Sequence, residues 1–407
     1  MIASTQNLKT EKNKFIQPLA VTRRITSIDL LRGIVMIIMA LDHTRDYFNA
    51  DAFLFDPTDL SKTNEWLFLT RWITHFCAPV FMFLSGTSAF FVGRRKNKNE
   101  LAKFLLTRGL WLILLELTVV NFGWYFDLSF SNIDFNVIWA LGAGMIVLAG
   151  LIYLPFIGII IIGAILIGAH NLLDGVQVTG NTIQAFGWSL LHQTGEFKFF
   201  GRIFFVGYPI LSWVGVMALG YCLGKLYNPF IEAVRRKKIL IILGSAIIIL
   251  FILLRAINIY GDPRPWSYHA SAAFTFLSFI NVFKYPPSLL YILITLGPAI
   301  LFLAFAEKPL NRLSKMVSVF GRVPMFYYIL HLYLIHALAE IAAYFTGFKW
   351  SDKTIWMNAN PELKGYGFSL GTTYLVWICI VILLYPLCKW YDRYKTAHKE
   401  KWWLSYL

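Results

Sequence analysis

The chain has 407 residues, of which 57% are hydrophobic and 14% are charged, and its mean hydropathy is +0.60. Soluble domains carry about 25% charged residues, so this composition excludes an ordinary soluble protein. The formal net charge of +15 would also suit a nucleic-acid-binding protein. The basic residues, however, crowd short connections between apolar runs, as the positive-inside rule describes. We therefore expect a polytopic helical membrane protein whose partner is the lipid bilayer and not nucleic acid.

The apolar runs divide the chain into an N-terminal segment, a membrane domain and a tail. Residues 1–22 are polar and lack an apolar core of signal-peptide length, so we expect a cytoplasmic segment before a retained first span. Residues 23–390 are expected to form an all-α transmembrane domain, and residues 391–407 a basic, aromatic cytoplasmic tail at the lipid headgroups. About ten runs approach the ~20 residues that cross a bilayer. The predicted spans are 30–48, 70–92, 104–125, 136–153, 155–172, 205–226, 238–257, 287–306, 322–346 and 367–389.

The charges of the connections predict that both termini are cytoplasmic. If the N-terminus is inside, the even-numbered connections are inside too, and these carry most of the basic residues, beginning with Arg94, Arg95 and Lys96. The first outside connection is mainly acidic. This asymmetry predicts a multi-pass protein of the cell's inner or plasma membrane.

The first span places an arginine and a histidine on one side of a helix. Arg32 and His43 are eleven residues apart, which is about three turns and roughly 16 Å, or half a bilayer. Asp46 follows His43 by three residues, and a carboxylate beside an imidazole raises its basicity. These residues predict acid–base chemistry near the outer face. The alternative is an interfacial cluster that only anchors the helix.

Other polar residues interrupt the spans, and such residues are candidates for function by default. Buried histidines in spans are also commonly packing residues, and Glu116 is more simply explained by a buried hydrogen bond. We predict no metal site, because His331 and His336 are five apart on different helix faces and the four cysteines have no paired spacing. The remaining intramembrane candidates are Arg71, His75, Glu116 and Asn121.

Three short motifs resemble those of transmembrane acyltransferases. The first is Arg32-x10-His43 after Ser27-Ile-Asp29-Leu-Leu, the second is Phe81-Met-Phe-Leu-Ser85-Gly86, and the third is Tyr328-Ile-Leu-His331. Over residues 23–390 the chain resembles the bacterial branch of the heparan-alpha-glucosaminide N-acetyltransferase catalytic-domain family.

The resemblance implies a co-substrate, an acceptor and roles for particular residues. It implies cytoplasmic acetyl-CoA as donor and an extracytoplasmic sugar or glycan as acceptor. His43 would be the acid–base or acyl-carrying imidazole and His331 a secondary site residue, and the spacing to His43 adds Asp46 as a further catalytic residue. The expected contacts to coenzyme A come from Arg32, Arg94, Arg95, Lys96 and Arg322. The expected contacts to acceptor or oxyanion come from Arg71, His75 and Asn121.

Several alternatives stay open from the sequence. Lysosomal family members have Asn at the position of His43 and their key His about eleven residues later, where this chain has Leu54. The acceptor, N- or O-acetylation, an acyl-histidine intermediate and the oligomeric state are therefore open. The principal alternative function is a transporter or flippase for a glycan or lipid-linked intermediate, and a non-catalytic membrane scaffold is a third.

Overall fold

The computed structural model describes residues 25–348, 365–401 and 404. This part of the chain is mostly helical, and six of its helices are long and apolar enough to cross a membrane. The predicted N-terminal segment 1–22 and the tail residues Trp402 and Trp403 lie outside the described residues. The six helices are Glu65–Gly93, Lys98–Tyr125, Ile210–Tyr227, Ala233–Ile257, Pro324–Phe345 and Leu370–Ala397.

Short connections join the helices and strands, and several of the long helices are interrupted by a short 3₁₀ or π segment. Their bounds are α1 Thr26–Phe48, α2 Glu65–Ile73, α3 Cys77–Gly93, α4 Lys98–Leu115, α5 Asn121–Tyr125, β1 Asn132–Phe135, α6 Val137–Leu151, α7 Phe156–Gly168, α8 Ile183–Leu191, β2 Gly195–Phe199, β3 Arg202–Val206, α9 Ile210–Leu223, α10 Ala233–Ile257, α11 Ala272–Ile280, α12 Leu289–Phe305, α13 Arg312–Arg322, α14 Pro324–Phe345 and α15 Leu370–Ala397.

Every predicted span coincides with a helix, although four of these helices fall outside the six. Helix α1 has 23 residues but carries five acidic or basic side chains, while α6, α7 and α12 have only 15, 13 and 17 residues. The count of about ten spans therefore stays a prediction. The last helix continues past the predicted boundary at 389, as far as Ala397.

A small sheet corrects the purely helical expectation. Strand β3 pairs in parallel with β1 and antiparallel with β2. The strands lie in the connections after α5 and α8, where aromatic side chains of β2 and β3 pack around Phe186 of α8. Each strand has only four or five residues, which is too short for an alternating pattern to stand out from the apolar background.

Hydrogen bonds between connections sort them into two ends of the helix bundle. At the end where α1 finishes, the bonded pairs are Thr58–Asn281, Ala50–Phe368 and Asn171–Leu289. At the opposite end they are Asn99–Tyr153, Arg236–Glu307 and Arg322–Asp392. The odd-numbered predicted connections thus share one end, and the even-numbered, basic connections share the other. The side of the membrane that each end faces stays a prediction.

Helix α1 lies in the middle of the bundle and packs closely on its neighbours. A methyl group on Gly33 of α1 would overlap the backbone of Val317 in α13, and one on Gly321 would overlap the backbone of Asp29. Small residues let membrane helices approach in this way. The close contact fixes α1 at its N-terminal end and so fixes where its C-terminal side chains lie.

Candidate active site

Two imidazoles meet in the buried interior between α1 and α14. His43 Nδ1 lies 2.9 Å from His331 Nε2, and His331 Nδ1 lies 2.7 Å from the backbone oxygen of Tyr327. The two rings are stacked, with centroids 4.9 Å apart and planes inclined by 9°. His43 and His331 are 8% and 0% exposed. The structure thus brings together two residues that the sequence predicted for the site, 288 positions apart.

The partners of the two rings determine their tautomers. A carbonyl oxygen only accepts, so Nδ1 of His331 carries the proton and its Nε2 has a lone pair. That lone pair accepts the Nδ1–H of His43, which leaves Nε2 of a neutral His43 without a proton. The pair therefore presents one basic nitrogen, and the hydrogen-bond chain behind it supports the imidazolium formed when Nε2 takes a proton.

Aromatic side chains hold the His43 ring in place. The ring of Trp124 contacts it edge-on with centroids 4.8 Å apart, and Tyr328 does so at 6.0 Å. Tyr328 and His331 lie one turn apart on α14, a helix that begins with Pro324 in its first turn. The Tyr328-to-His331 motif is therefore a single helix face directed at His43.

Asp46 does not have the role that its spacing predicted. Within the described residues it is paired with Arg45, while the position beside His43 Nδ1 is taken by His331. The prediction of an Asp46–His43 contact was wrong because i,i+3 spacing does not determine which neighbouring side chain the carboxylate binds. The adjacent guanidinium of Arg45 is a stronger partner for a carboxylate than a neutral imidazole. Asp46 still lines the cavity at His43.

Asp42 is the centre of a buried ionic cluster beside His43. Arg71 Nη1 lies 2.7 and 2.8 Å from its two carboxylate oxygens, and Arg45 Nη2 lies 3.0 Å from Oδ1. Thr74 donates a further hydrogen bond of 2.8 Å, and Lys284 Nζ lies 3.8 Å from Oδ2. Removing one partner of such a buried group leaves an uncompensated charge, which costs about 3–5 kcal/mol. We therefore assign a structural role to Arg71, whose ion pair with Asp42 holds the C-terminal end of α1 in place.

A narrow cavity of about 70 Å³ opens at His43, with room for a few water-sized groups. Two wider cavities of about 310 and 230 Å³ adjoin it. Tyr285 lines all three, Asp46 and Asn136 are shared by the first two, and Thr194 by the last two. The lining of the narrow cavity is Asp42, His43, Asp46, Tyr47, Trp124, Tyr125, Asp134, Asn136, Val137, Tyr208, Tyr285 and Tyr328.

One wall of the narrow cavity is built by a change of helix winding after α4. Residues 116–120 form a π turn, after which Asn121 donates to the backbone oxygen of Asn132 at 2.7 Å and accepts from the backbone N–H of Asp134 at 2.9 Å. Glu116 accepts the N–H of Ile138 at 2.9 Å and so caps α6. Both ends of the Asn121 amide are used in holding β1, so its predicted role at an oxyanion is not what the structure shows. The predicted buried hydrogen bond of Glu116 is confirmed.

The predicted coenzyme A contacts lie at the opposite end of α1. Arg32 donates to Ser88 Oγ at 2.9 Å and to the backbone oxygen of Gly321 at 3.2 Å, and it lies 3.7 Å from Asp29. Arg322 forms two bonds of 2.7 and 2.8 Å to Asp392. The side chains of Arg94, Arg95 and Lys96 are exposed, just past the end of α3.

Two further histidines lie apart from the His43–His331 pair. His75 is buried against the Tyr291 ring, and its Nδ1 has no hydrogen-bond partner. His336 bonds to the backbone oxygen of Gly123 at 2.9 Å and stacks on Phe126. Neither lines the narrow cavity. Among the described residues no group of three potential metal ligands occurs.

Asp134, Lys284 and Tyr285 are among the residues of the site that the sequence does not single out. Asp134 belongs to a short connection and lines the narrow cavity at 3% exposure. Lys284 and Tyr285 lie in the connection before α12. The available signal was an acidic residue within an apolar stretch and a lysine–tyrosine pair before two prolines, and neither predicts a contact with α1.

A comparison with known families shows which family the chain belongs to. Residues 24–254 match the family model described as heparan-alpha-glucosaminide N-acetyltransferase, catalytic. The matched segment contains His43 and Asp134 and ends before His331. No curated protein matches the chain by sequence similarity. Since the matched residues make up more than half of the sequence, this multi-pass membrane protein belongs to the heparan-alpha-glucosaminide N-acetyltransferase catalytic-domain family.

Proposed function

We propose that the protein transfers an acetyl group from cytoplasmic acetyl-CoA to a hydroxyl or amino group of an extracytoplasmic sugar or glycan, in the inner or plasma membrane. The observation that carries the proposal is the His43–His331 pair, with His331 bonded in turn to Tyr327. It leaves one basic nitrogen beside a cavity that shares lining residues with two wider ones. Family membership supports acetyl transfer as the reaction.

In the proposed reaction His43 acts as general base and then as general acid. The acceptor oxygen or nitrogen attacks the thioester carbonyl carbon while its proton passes to Nε2 of His43. The C–S bond then breaks, and the departing thiolate takes that proton to give the coenzyme A thiol. A positioned acid–base group of this kind contributes about 10²–10⁴-fold to the rate. The same lone pair is the attacking atom if the acetyl group first rests on His43.

The tyrosines of the cavity supply the remaining polar groups that acyl transfer needs. The negative charge that develops on the carbonyl oxygen is stabilised by hydrogen-bond donors fixed in advance. Tyr208, Tyr285 and Tyr328 all line the narrow cavity. We assign the oxyanion to these hydroxyl groups, since Arg71 is already bound to Asp42.

The donor is proposed to enter from the end of α1 that carries the exposed cations. The exposed side chains of Arg94, Arg95 and Lys96 would contact its phosphates, while Arg322 is bonded to Asp392 and Arg32 to the backbone of α13. The phosphates of coenzyme A pair well with such basic side chains. The pantetheine arm would then run along α1 for roughly 16 Å to His43.

The test is acetyl transfer by purified protein with labelled acetyl-CoA and a set of amino-sugar and hydroxyl acceptors. His43→Ala is expected to lower kcat by about 10²–10⁴-fold while acetyl-CoA binding persists. Because the two rings act as one unit, His331→Ala in that background should lower the rate no further. His336→Gln, which changes a buried histidine of α14 outside the pair, is the matched control and should keep its rate.

Two outcomes contradict the proposal. Undiminished turnover in His43→Ala would remove this pair from the reaction. Glycan flux through proteoliposomes without acetyl-CoA dependence, together with no binding of acetyl-CoA at millimolar concentration, would favour the transporter.

A further inference from the structure

Asp134 presents an unsatisfied carboxylate oxygen at the cavity that contains His43. The residue is 3% exposed and lines the narrow cavity. Its Oδ1 is buried and has no hydrogen-bond partner among the described residues. A buried acceptor without a partner is unfavourable, and native structures rarely keep one without a reason.

The fold holds this side chain in one orientation. Oδ2 accepts the Tyr125 hydroxyl at 2.8 Å and the Asn136 amide at 3.1 Å, and the backbone N–H of Asp134 donates to Asn121 at 2.9 Å. On β1, Asp134 is paired with Phe205 of β3. The carboxylate cannot turn to satisfy Oδ1 without losing both bonds to Oδ2. The fold therefore keeps Oδ1 unbonded at the cavity.

We propose that Asp134 is an acceptor-binding residue whose Oδ1 receives a hydrogen bond from an O–H or N–H group next to the attacking atom of the acceptor. The inference rests on the proposed function and adds to it the subsite that orients the acceptor toward His43. In this arrangement Asp134 binds and positions, while the proton of the attacking group passes to His43 as described.

The surroundings of Asp134 define the ligand chemistry. Within the described chain the narrow cavity is lined by three carboxylates and by no lysine or arginine. Its walls include the rings of Tyr47, Trp124 and Tyr208. Aromatic faces and hydrogen-bond acceptors suit a sugar ring with hydroxyl or amino donors, whereas a carboxylate or sulfate on the reacting ring would be repelled.

The test compares Asp134→Asn with Asp127→Asn. The first substitution keeps the shape and replaces the acceptor Oδ1 by an N–H donor, so the KM for the acceptor should rise by roughly 10–100-fold. The KM for acetyl-CoA should stay within about twofold, since the proposed subsite contacts the acceptor and not the donor. Asp127 lies in the same connection but is half-buried, does not line the narrow cavity and is bonded to Ser129 and Ser131, so its variant should match the wild type.

A second variant tests the subsite in case Asp134→Asn does not fold. Tyr125→Phe removes one bond to Oδ2 and loosens the carboxylate, and we expect a smaller rise in the acceptor KM, with the KM for acetyl-CoA unchanged. Thermal unfolding will show whether Asp134→Asn is folded. If the wild type transfers acetyl groups and the folded variant keeps a normal acceptor KM, the subsite is refuted and the proposed function stands. If the wild type does not transfer acetyl groups, the proposed function itself fails.

Discussion

Two buried imidazoles and one carboxylate carry the proposed chemistry at the residue scale. His331 fixes the tautomer of His43 in the way that a carboxylate does in other acid–base pairs, but it adds no charge to the interior. The negative groups near His43 are instead occupied, Asp42 by Arg71 and Asp46 by Arg45. The basic nitrogen is thus shielded from direct ion pairing, which would otherwise hold it in the protonated form.

Asp134 predicts a pH dependence of acceptor use. It lies outside the membrane-spanning segments, and burial raises the pKa of Asp134 to about 7, against hydrogen bonds from Tyr125 and Asn136 that lower it. The ionisable side chains that interact with it from other elements include Tyr125, Glu116 and Tyr47. The carboxylate is therefore ionised above pH 7 and protonated below it.

We expect the ratio of kcat/KM for the acceptor, wild type over Asp134→Asn, to be large at pH 8 and to approach one below pH 6. Taking the ratio cancels the titration of His43 that both proteins share. Acceptor kinetics across this range measure it. A ratio that is constant with pH would mean that the ionisation of Asp134 does not matter for binding.

The sequence predicted one part of this site well and another part poorly. His43, Arg32 and Asp29 lie on a single helix, so spacing alone placed them, and the Asp29–Arg32 pair is found at 3.7 Å. His331 came from a motif resemblance and is in contact with His43. Asp134 and Tyr285 reach the cavity only through long-range packing, and no local pattern encodes such contacts.

At the scale of elements, glycines decide how closely the helices pack. The small residues of the Ser85-Gly86 stretch could serve either close helix packing or the close approach of the backbone to a ligand. A methyl group at Gly86 of α3 would overlap the backbone of Met217 in α9, and one at Gly220 would overlap that of Phe83. The structure therefore supports packing of α3 on α9.

Gly86→Ala should destabilise the protein by about 1–3 kcal/mol, because the added methyl group meets backbone atoms that cannot move aside. Gly150→Ala in α6 is the matched control, since its methyl group would enter open space. That control should be neutral or stabilising by up to about 1 kcal/mol. Thermal unfolding in detergent compares the two, and equal stability of both variants would show that α3 and α9 are less closely packed than described.

Helix positions could be predicted from hydropathy, and the finer elements could not. Apolar runs located α1 and the later helices because a bilayer imposes a length of about 20 residues. The π turn at 116–120 and the three strands obey no such rule. They depend on side-chain bonds such as Asn121 to β1, which form only once the bundle is assembled.

At the scale of the whole molecule, the two ends of the bundle differ in charge and in cavities. The cavities at His43 lie at the end where α1 finishes, and the exposed cations after α3 lie at the other. This separation is what a reaction between a donor and an acceptor on opposite sides requires.

We predict that the cation-rich end is cytoplasmic. In a Cys379→Ser background, Ser61→Cys should react with an impermeant thiol reagent in intact cells, and Glu232→Cys only after permeabilisation. Both positions are exposed and lie at opposite ends of the bundle. The reverse pattern would invert the orientation and place His43 near the cytoplasm.

The parallel pairing of β1 with β3 also constrains how the protein is made. Asn132 pairs with Ile203, 71 residues later, and α6 and α7 lie between them. Synthesis at about 5–20 residues per second leaves β1 without its partner for several seconds. During that interval the strand is an open edge, which another chain can join. The wall that carries Asp134 is consequently completed only after α6, α7 and α8 have been synthesised.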